Sequence, residues 1–251
     1  MLALFILTAR EENFYYKKNK LMNKKKRFQV WFYLLGMLCF SQFSLAQIPK
    51  DYKGKPFKDK YYKLGAQAIP GRVELAYYDL GGEGVAYHDN SPENEGSKLN
   101  HEVHDYGSHH RPGISAYTAF FREKEGVDIS YTKDWADFNH PNKVDPAVNQ
   151  LYIGWESDNE WTNYTVNVKA PGRYKIITVY GNKDNNSSLF LNGKEAVKLK
   201  LPEDTGNWHY WTQATVGEII FPVAGLNLIT LKYNTGANLA YLDFVRLEEK
   251  K

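Results

Sequence analysis

Turn signals recur at short, regular intervals along the C-terminal third of this chain, and no other feature limits its fold so tightly. Pro171-Gly172 precedes Arg173 to Tyr180, Asn192-Gly193 separates Ser188 to Leu191 from Glu195 to Leu199, and Ala224-Gly225 precedes Leu226 to Tyr233. Asn-Gly is the favoured pair of a two-residue hairpin turn, because both positions need positive φ. Between turns the residues alternate: Tyr164, Val166 and Val168 point one way, Asn163, Thr165 and Asn167 the other. That is the pattern of a half-buried antiparallel strand. The last strand is predicted over Leu239 to Leu247, and no long window carries a helical stripe. The expectation is an all-β fold, a β-sandwich whose edge loops are free to carry function.

The N-terminal segment is of another kind. Met22-Asn-Lys-Lys-Lys-Arg-Phe28 forms a basic n-region, Phe28 to Phe43 is an apolar run, and Ser44-Leu45-Ala46 is a small-x-small cleavage signal. Residues 22–46 therefore read as a secretory signal peptide starting at Met22, with residues 1–21 as an upstream extension from a misassigned start. The competing reading is a membrane anchor, since the run approaches spanning length. Ser41, Gln42 and Ser44 end it too early for that. The expected location is secreted or periplasmic, with no membrane span in the mature chain.

Removing this leader changes the rest of the picture. The sole cysteine, Cys39, leaves with it, so the mature chain folds without disulfides and relies on its own core. The whole chain has 32 basic and 29 acidic residues; residues 1–46 hold 8 and 2 of them, leaving 24 against 27, a net −3. The basicity belongs to the leader, and nothing in the remainder favours nucleic acid or an anionic membrane as a partner. Residues 47–66 are rich in Lys, Tyr, Pro and Asp without a period and read as a linker or arm. Residues 67–251 make up the sandwich.

Seven ordered blocks resemble carbohydrate-binding module family 6, a galactose-binding-like jelly-roll. They are Pro70-Gly-Arg-Val-Glu74, Asp79-Leu-Gly-Gly-Glu-Gly-Val-Ala-Tyr-His-Asp89, Glu125-Gly-Val-Asp-Ile129, Tyr152-Ile-Gly-Trp155, Asn159 to Val168, Gly206-Asn-Trp-His-Tyr-Trp211 and Gly236-Ala-Asn-Leu-Ala-Tyr-Leu242. The resemblance covers Ile69 to Leu247. The resemblance implies one sugar cleft in the edge loops, where two aromatics sandwich a pyranose and an Asn bonds its hydroxyls. The matching positions are Trp155, Trp208 and Asn238, with Glu83 as an added loop carboxylate. The implied ligand is a polysaccharide or oligosaccharide, and the implied neighbour is a glycoside hydrolase acting nearby. The chemistry is sound on its own terms: a pyranose presents C–H groups on its faces and hydroxyls around its rim, which suit a flat aromatic and an amide or carboxylate respectively.

Each candidate has a plainer reading. Trp208 and Trp211 sit three apart in a strand-forming block, so alternation sends one inward and one outward; Trp211 is assigned to the core and Trp208 to the site. Trp155 precedes the polar run Glu156 to Glu160 and suits a loop. Trp161 opens a strand and suits the core, although a second family cleft on the concave sheet face uses this position in some members. The histidines His101, His104, His109 and His110 do not form His-Glu-x-x-His, and a solvated loop accounts for them better than a metal. The family's structural calcium uses a Glu-x-Glu pair and an Asp near the last strand; here these positions read Glu74-Leu75-Ala76 and Asn238-Leu239-Ala240, so two hard ligands are missing and the ion is expected to be absent or weakly held. No cofactor is expected. Asp128, Asp158 and Glu160 supply carboxylates enough for a small glycoside hydrolase or lyase, the alternative reading, yet the family blocks already fill residues 67–251. A structural or adhesion subunit that meets another protein through its tryptophans is a third reading.

Overall fold

The computed structural model describes residues 48–102, 114–132, 144, 147, 149–182, 187–234 and 236–248. The chain divides into two compact units, Met1–Leu45 and Ala46–Lys251, and every described residue belongs to the second. The predicted signal peptide and upstream extension lie outside the described residues, as do His104, His109 and His110 of the histidine cluster and the side chain of His101. No described helix is long and apolar enough to cross a membrane.

Among the described residues twelve strands form two sheets. They are β1 (Gln67–Ile69), β2 (Gly71–Glu74), β3 (Tyr87–His88), β4 (Ile129–Tyr131), β5 (Leu151–Ile153), β6 (Trp161–Val168), β7 (Gly172–Gly181), β8 (Ser188–Leu191), β9 (Lys194–Lys198), β10 (Trp211–Phe221), β11 (Gly225–Lys232) and β12 (Asn238–Arg246). The first sheet runs β1-β6-β11-β8-β9, with β3 also on β6; the second runs β10-β7-β12-β5-β4, with β2 also on β12. One apolar cluster joins them: Tyr164, Val166, Leu189, Ile229 and Leu231 from the first sheet meet Tyr174, Ile176, Ile219, Phe221 and Phe244 from the second. Two sheets sharing one buried layer make a β-sandwich, and the all-β expectation holds.

The turn chemistry is where the sequence placed it. Asn192 and Gly193 both have positive φ, 51° and 84°, and close the β8–β9 hairpin. Gly172 and Gly225 also have positive φ at the starts of β7 and β11. The half-buried character expected of β6 does not hold. Asn163 and Thr165, on the face expected to meet solvent, are buried under the segment around Asp79. The Asp79 carboxylate accepts hydrogen bonds from the Thr165 N–H at 2.8 Å and the Thr165 hydroxyl at 2.6 Å, and Asn163 Nδ2 donates to the Val85 carbonyl at 2.9 Å. A polar strand face can thus be buried when loop groups satisfy it.

Helix also appears where none was expected. α1 (Glu95–Glu102) and the short α2 (Ala116–Ala119) connect β3 to β4. Asn94 Oδ1 accepts from the Ser97 N–H at 2.8 Å, a side-chain cap that starts α1. Eight residues are too few for a helical stripe to stand out in the sequence.

The arm is docked. Phe57 is buried and its ring stacks against Tyr62 and Tyr77, Lys55 pairs with Leu80 backbone to backbone, and the Tyr52 hydroxyl donates to Asp79 at 2.7 Å.

Candidate functional site

The ends of β5, β7 and β12 and the loop before β10 converge at one edge of the second sheet. In the register, Gly181 of β7 lies between Trp211 of β10 and Asn238 of β12. A Cβ on Gly181 would stand 2.3 Å from the Trp208 carbonyl oxygen, so only glycine lets the Trp208 loop lie this close to the strand. The loop itself is a chain of local bonds: the Gly206 N–H donates to Asp204 Oδ1 at 2.8 Å, the His209 N–H to Asn207 Oδ1 at 2.9 Å, and the Asn182 N–H to Thr205 Oγ1 at 2.6 Å. These short polar side chains replace regular secondary structure as partners for the backbone.

Trp155 reaches the same edge from β5. The strand ends at Ile153, and Trp155 takes the left-handed conformation with φ 59°, which aims its ring back over the sheet. A bulky residue seldom adopts that conformation. Beneath it the buried Tyr152 ring lies nearly parallel, 11° and 6.3 Å between centroids, and also meets His209 and Trp211 edge-on at 6.2 and 5.3 Å. Tyr152 is therefore the floor on which both sides of the site rest.

Trp155, Trp208, His209 and Asn238 line a cavity of about 180 Å³. Of the four tryptophans among the described residues, Trp155 and Trp208 are exposed at 40% and 46%, Trp161 is half-buried and Trp211 is buried at 1%. The assignment of Trp208 outward and Trp211 inward agrees with this, but strand alternation is not the cause: β10 starts at Trp211, and Trp208 stands in the preceding turn. Asn238 is itself buried, and its Nδ2 donates to the Trp208 carbonyl at 2.7 Å. One amide hydrogen and Oδ1 remain for other partners, so Asn238 both lines the cavity and braces Trp208.

Glu83 stands elsewhere. Its carboxylate meets His88 Nδ1 at 2.5 Å and accepts from the Asp89 N–H at 3.2 Å, and His88 pairs in register with Trp161, whose ring lies 6.4 Å away. The structure thus groups Glu83 with His88 and Trp161 and groups Trp155 with Trp208 and Asn238. Sequence reading missed His209 and Tyr152 as parts of the site, although both lie inside the quoted blocks. Neither residue type announces a supporting role at those positions.

Of the positions where the resemblance places calcium ligands, Glu74 is engaged by a protein partner. Glu74 Oε2 accepts from Gln150 Nε2 at 3.0 Å, its carboxyl is pushed up by burial, and Ala76 and Ala240 offer no side-chain oxygen. This set does not fit a hard cation that needs several oxygens. Among the described residues no group of three or more His, Cys, Asp or Glu is arranged to hold a metal.

Of the carboxylates near the Trp155 loop, Asp128 and Glu156 are buried and Asp89 is half-buried. Burial pushes Asp128 up to about 8 despite the Glu95 N–H that donates to its Oδ1 at 2.6 Å, and pushes Asp89 up to about 7 with help from Glu160 and Glu83. Glu156 is held well above the usual range by burial, with Glu160 and Asp128 adding to the effect.

A two-sheet sandwich with an aromatic cleft in its edge loops is the class that the geometry defines. No family model and no curated protein matches the chain. Among solved structures, several of those similar to it are family 6 carbohydrate-binding modules. They include the module CBM6cm-2 of Cellvibrio mixtus lichenase 5A in complex with cellotriose (22% identity, 39% of this chain and 79% of that one, TM-score 0.34) and the C-terminal module of a laminarinase, LamC, from Zobellia galactanivorans (20%, 39% and 82%, 0.35). A β-1,3-glucan-binding module from Bacillus halodurans covers more of this chain (12%, 72% and 98%, 0.43).

Proposed function

We propose that this protein is a secreted, non-catalytic carbohydrate-binding module that stacks a pyranose between Trp155 and Trp208, with Asn238 hydrogen-bonding its rim. The observation that carries the reading is that the two exposed tryptophans of the described chain open onto one cavity, with a buried amide between them. Two rings covering roughly 100 Å² of apolar surface each contribute about 5 kcal/mol at about 25 cal/mol per Å², before the cost of association. The expected affinity is micromolar to millimolar, about −8 to −4 kcal/mol. A binder this weak works through multivalency or tethering, which suits a partner that acts on the same glycan.

The raised acids Asp89 and Asp128 keep the hydrolase reading in view, since a glycosidase needs one protonated carboxyl. Neither lines the Trp155–Trp208 cavity. Incubation with β-1,3- and β-1,4-glucans and a wider polysaccharide panel separates the two readings. Retention in affinity electrophoresis without new reducing ends or unsaturated products is expected; products that accumulate with time would replace binding by catalysis.

A further inference from the structure

Glu156 follows Trp155 in the chain but turns away from the surface that Trp155 faces: the tryptophan is 40% exposed and the glutamate 6%. Both carboxyl oxygens of Glu156 are buried, and among the described residues neither meets a partner in hydrogen-bond geometry. A buried polar group without a partner is costly, above all when it is charged. Its place bears directly on the cavity. A Cβ on Gly236 would stand 3.4 Å from Glu156 Oε2 and 3.6 Å from Trp208 Cη2, so the carboxyl and the far end of the Trp208 ring flank one point beside β12. Glu156 is thus tied to both walls of the cavity, to Trp155 through the chain and to Trp208 across Gly236.

The hydrogen bonds of the loop show where its charge resides. Glu160 accepts the Ser157 N–H at 2.7 Å and the Asn90 N–H at 3.2 Å, one on each oxygen, which is the arrangement of a carboxylate. Glu156 faces that carboxylate and, from the segment before β4, Asp128; the hydroxyls of Tyr152 on β5 and Tyr233 after β11 are also set against it. Among the described residues no Lys or Arg pairs with Glu156. The N–H groups of Glu156 itself and Ala237 favour its charge, but burial outweighs them, and acids this close do not readily ionise together. An ionised Glu156 regains water only by leaving its place. Its departure releases the end of the Trp208 ring and lets Trp155, held at φ 59°, relax.

We propose that Glu156 is a positioning residue of the tryptophan clamp: its uncharged carboxyl, packed beside Gly236 and the Trp208 ring, keeps the two indoles together, and its ionisation parts them. Sugar affinity is then highest in acid and falls as pH climbs through the value of Glu156. The inference rests on the carbohydrate-binding reading for the ligand only; the coupling of Glu156 to the indoles rests on their contacts.

The test has two arms on the wild-type protein and on the variants Glu156→Gln, Asp128→Asn and His209→Gln. His209 is included because it is the titratable side chain that lines the cavity. In the first arm, without sugar, the indole N–H resonances of Trp155 and Trp208 are followed by NMR from about pH 5 to about pH 9. They are expected to titrate together in the wild type and in His209→Gln, to titrate at lower pH in Asp128→Asn, which loses a neighbouring acid, and to stay fixed in Glu156→Gln, whose neutral amide keeps the shape of the side chain. In the second arm, calorimetry with a laminari- and a cello-oligosaccharide is expected to show affinity falling about tenfold over the same range in the wild type and staying nearly constant in Glu156→Gln. Indole resonances that ignore pH in the wild type overturn the proposal whether or not any variant folds, and so does a titration that persists in folded Glu156→Gln or vanishes in His209→Gln. Failure of both oligosaccharides to bind while the indoles titrate with Glu156 counts against the carbohydrate-binding reading and upholds the coupling.

Discussion

Trp155 carries a backbone cost in exchange for its position. At φ 59° its Cβ crowds the following carbonyl, a strain of about 1–2 kcal/mol that glycine does not feel. The expected outcome is therefore the reverse of the usual order: Trp155→Gly unfolds at higher denaturant than Trp155→Ala, by about 1 kcal/mol, while both lose glycan affinity. Equal stabilities would mean that the loop relaxes out of the left-handed conformation. Asn238 makes a complementary case. Asn238→Ala removes the 2.7 Å bond to the Trp208 carbonyl and leaves that oxygen without its partner, a loss of about 1–3 kcal/mol in chemical denaturation. Affinity falls with it, because the brace of Trp208 is gone even for a ligand that never touches the amide.

At the scale of elements, the close approach of β7 to the Trp208 loop is the most exposed to substitution. Gly181→Ala puts a methyl group 2.3 Å from the Trp208 carbonyl oxygen, a contact that backbone on both sides must relieve. Weaker glycan retention and a lower melting temperature are expected together, with Gly193→Ala as a control, since nothing lies near its Cβ even though its φ is positive. Asp79 ties the arm to β6, and Asp79→Ala leaves the Thr165 N–H buried without its acceptor, which costs about 3 kcal/mol and frees Tyr52. Much of this level was legible in the sequence: the Asn192-Gly193 hairpin, the starts of β7 and β11 and the run of β6 follow from turn chemistry and alternation. What was not legible has a common cause. The buried polar face of β6 depends on Asp79, more than eighty residues earlier, and Trp208 faces out because of a turn held by Asp204, Asn207 and Asn238, not because of strand parity. Local pattern does not record partners that distant.

For the molecule as a whole, the desolvated carboxyls of half-buried Asp89 and buried Asp128 set its response to pH. A carboxyl whose folded value is raised keeps its stabilisation below its ordinary value near 4 and loses it as pH climbs through the folded value. With Asp89 at about 7 and Asp128 at about 8, the melting temperature should fall as pH rises from about 5 to about 8, and Asp128→Asn should flatten that slope. A rising slope over this window would contradict the burial of these groups. The fold class was readable from sequence at this scale because turns and periods are local properties summed over the chain. The cavity was readable only in part: block position supplied Trp155, Trp208 and Asn238, whereas Tyr152 beneath them and the separation of Glu83 from them come from strand register. The account turns on the two tryptophans gripping one sugar, and calorimetric titration of a retained oligosaccharide into the wild type and into Trp155→Ala/Trp208→Ala tests it directly. It predicts a micromolar to millimolar dissociation constant for the wild type and no measurable heat for the double variant with circular dichroism unchanged; undiminished binding by the folded double variant would contradict it.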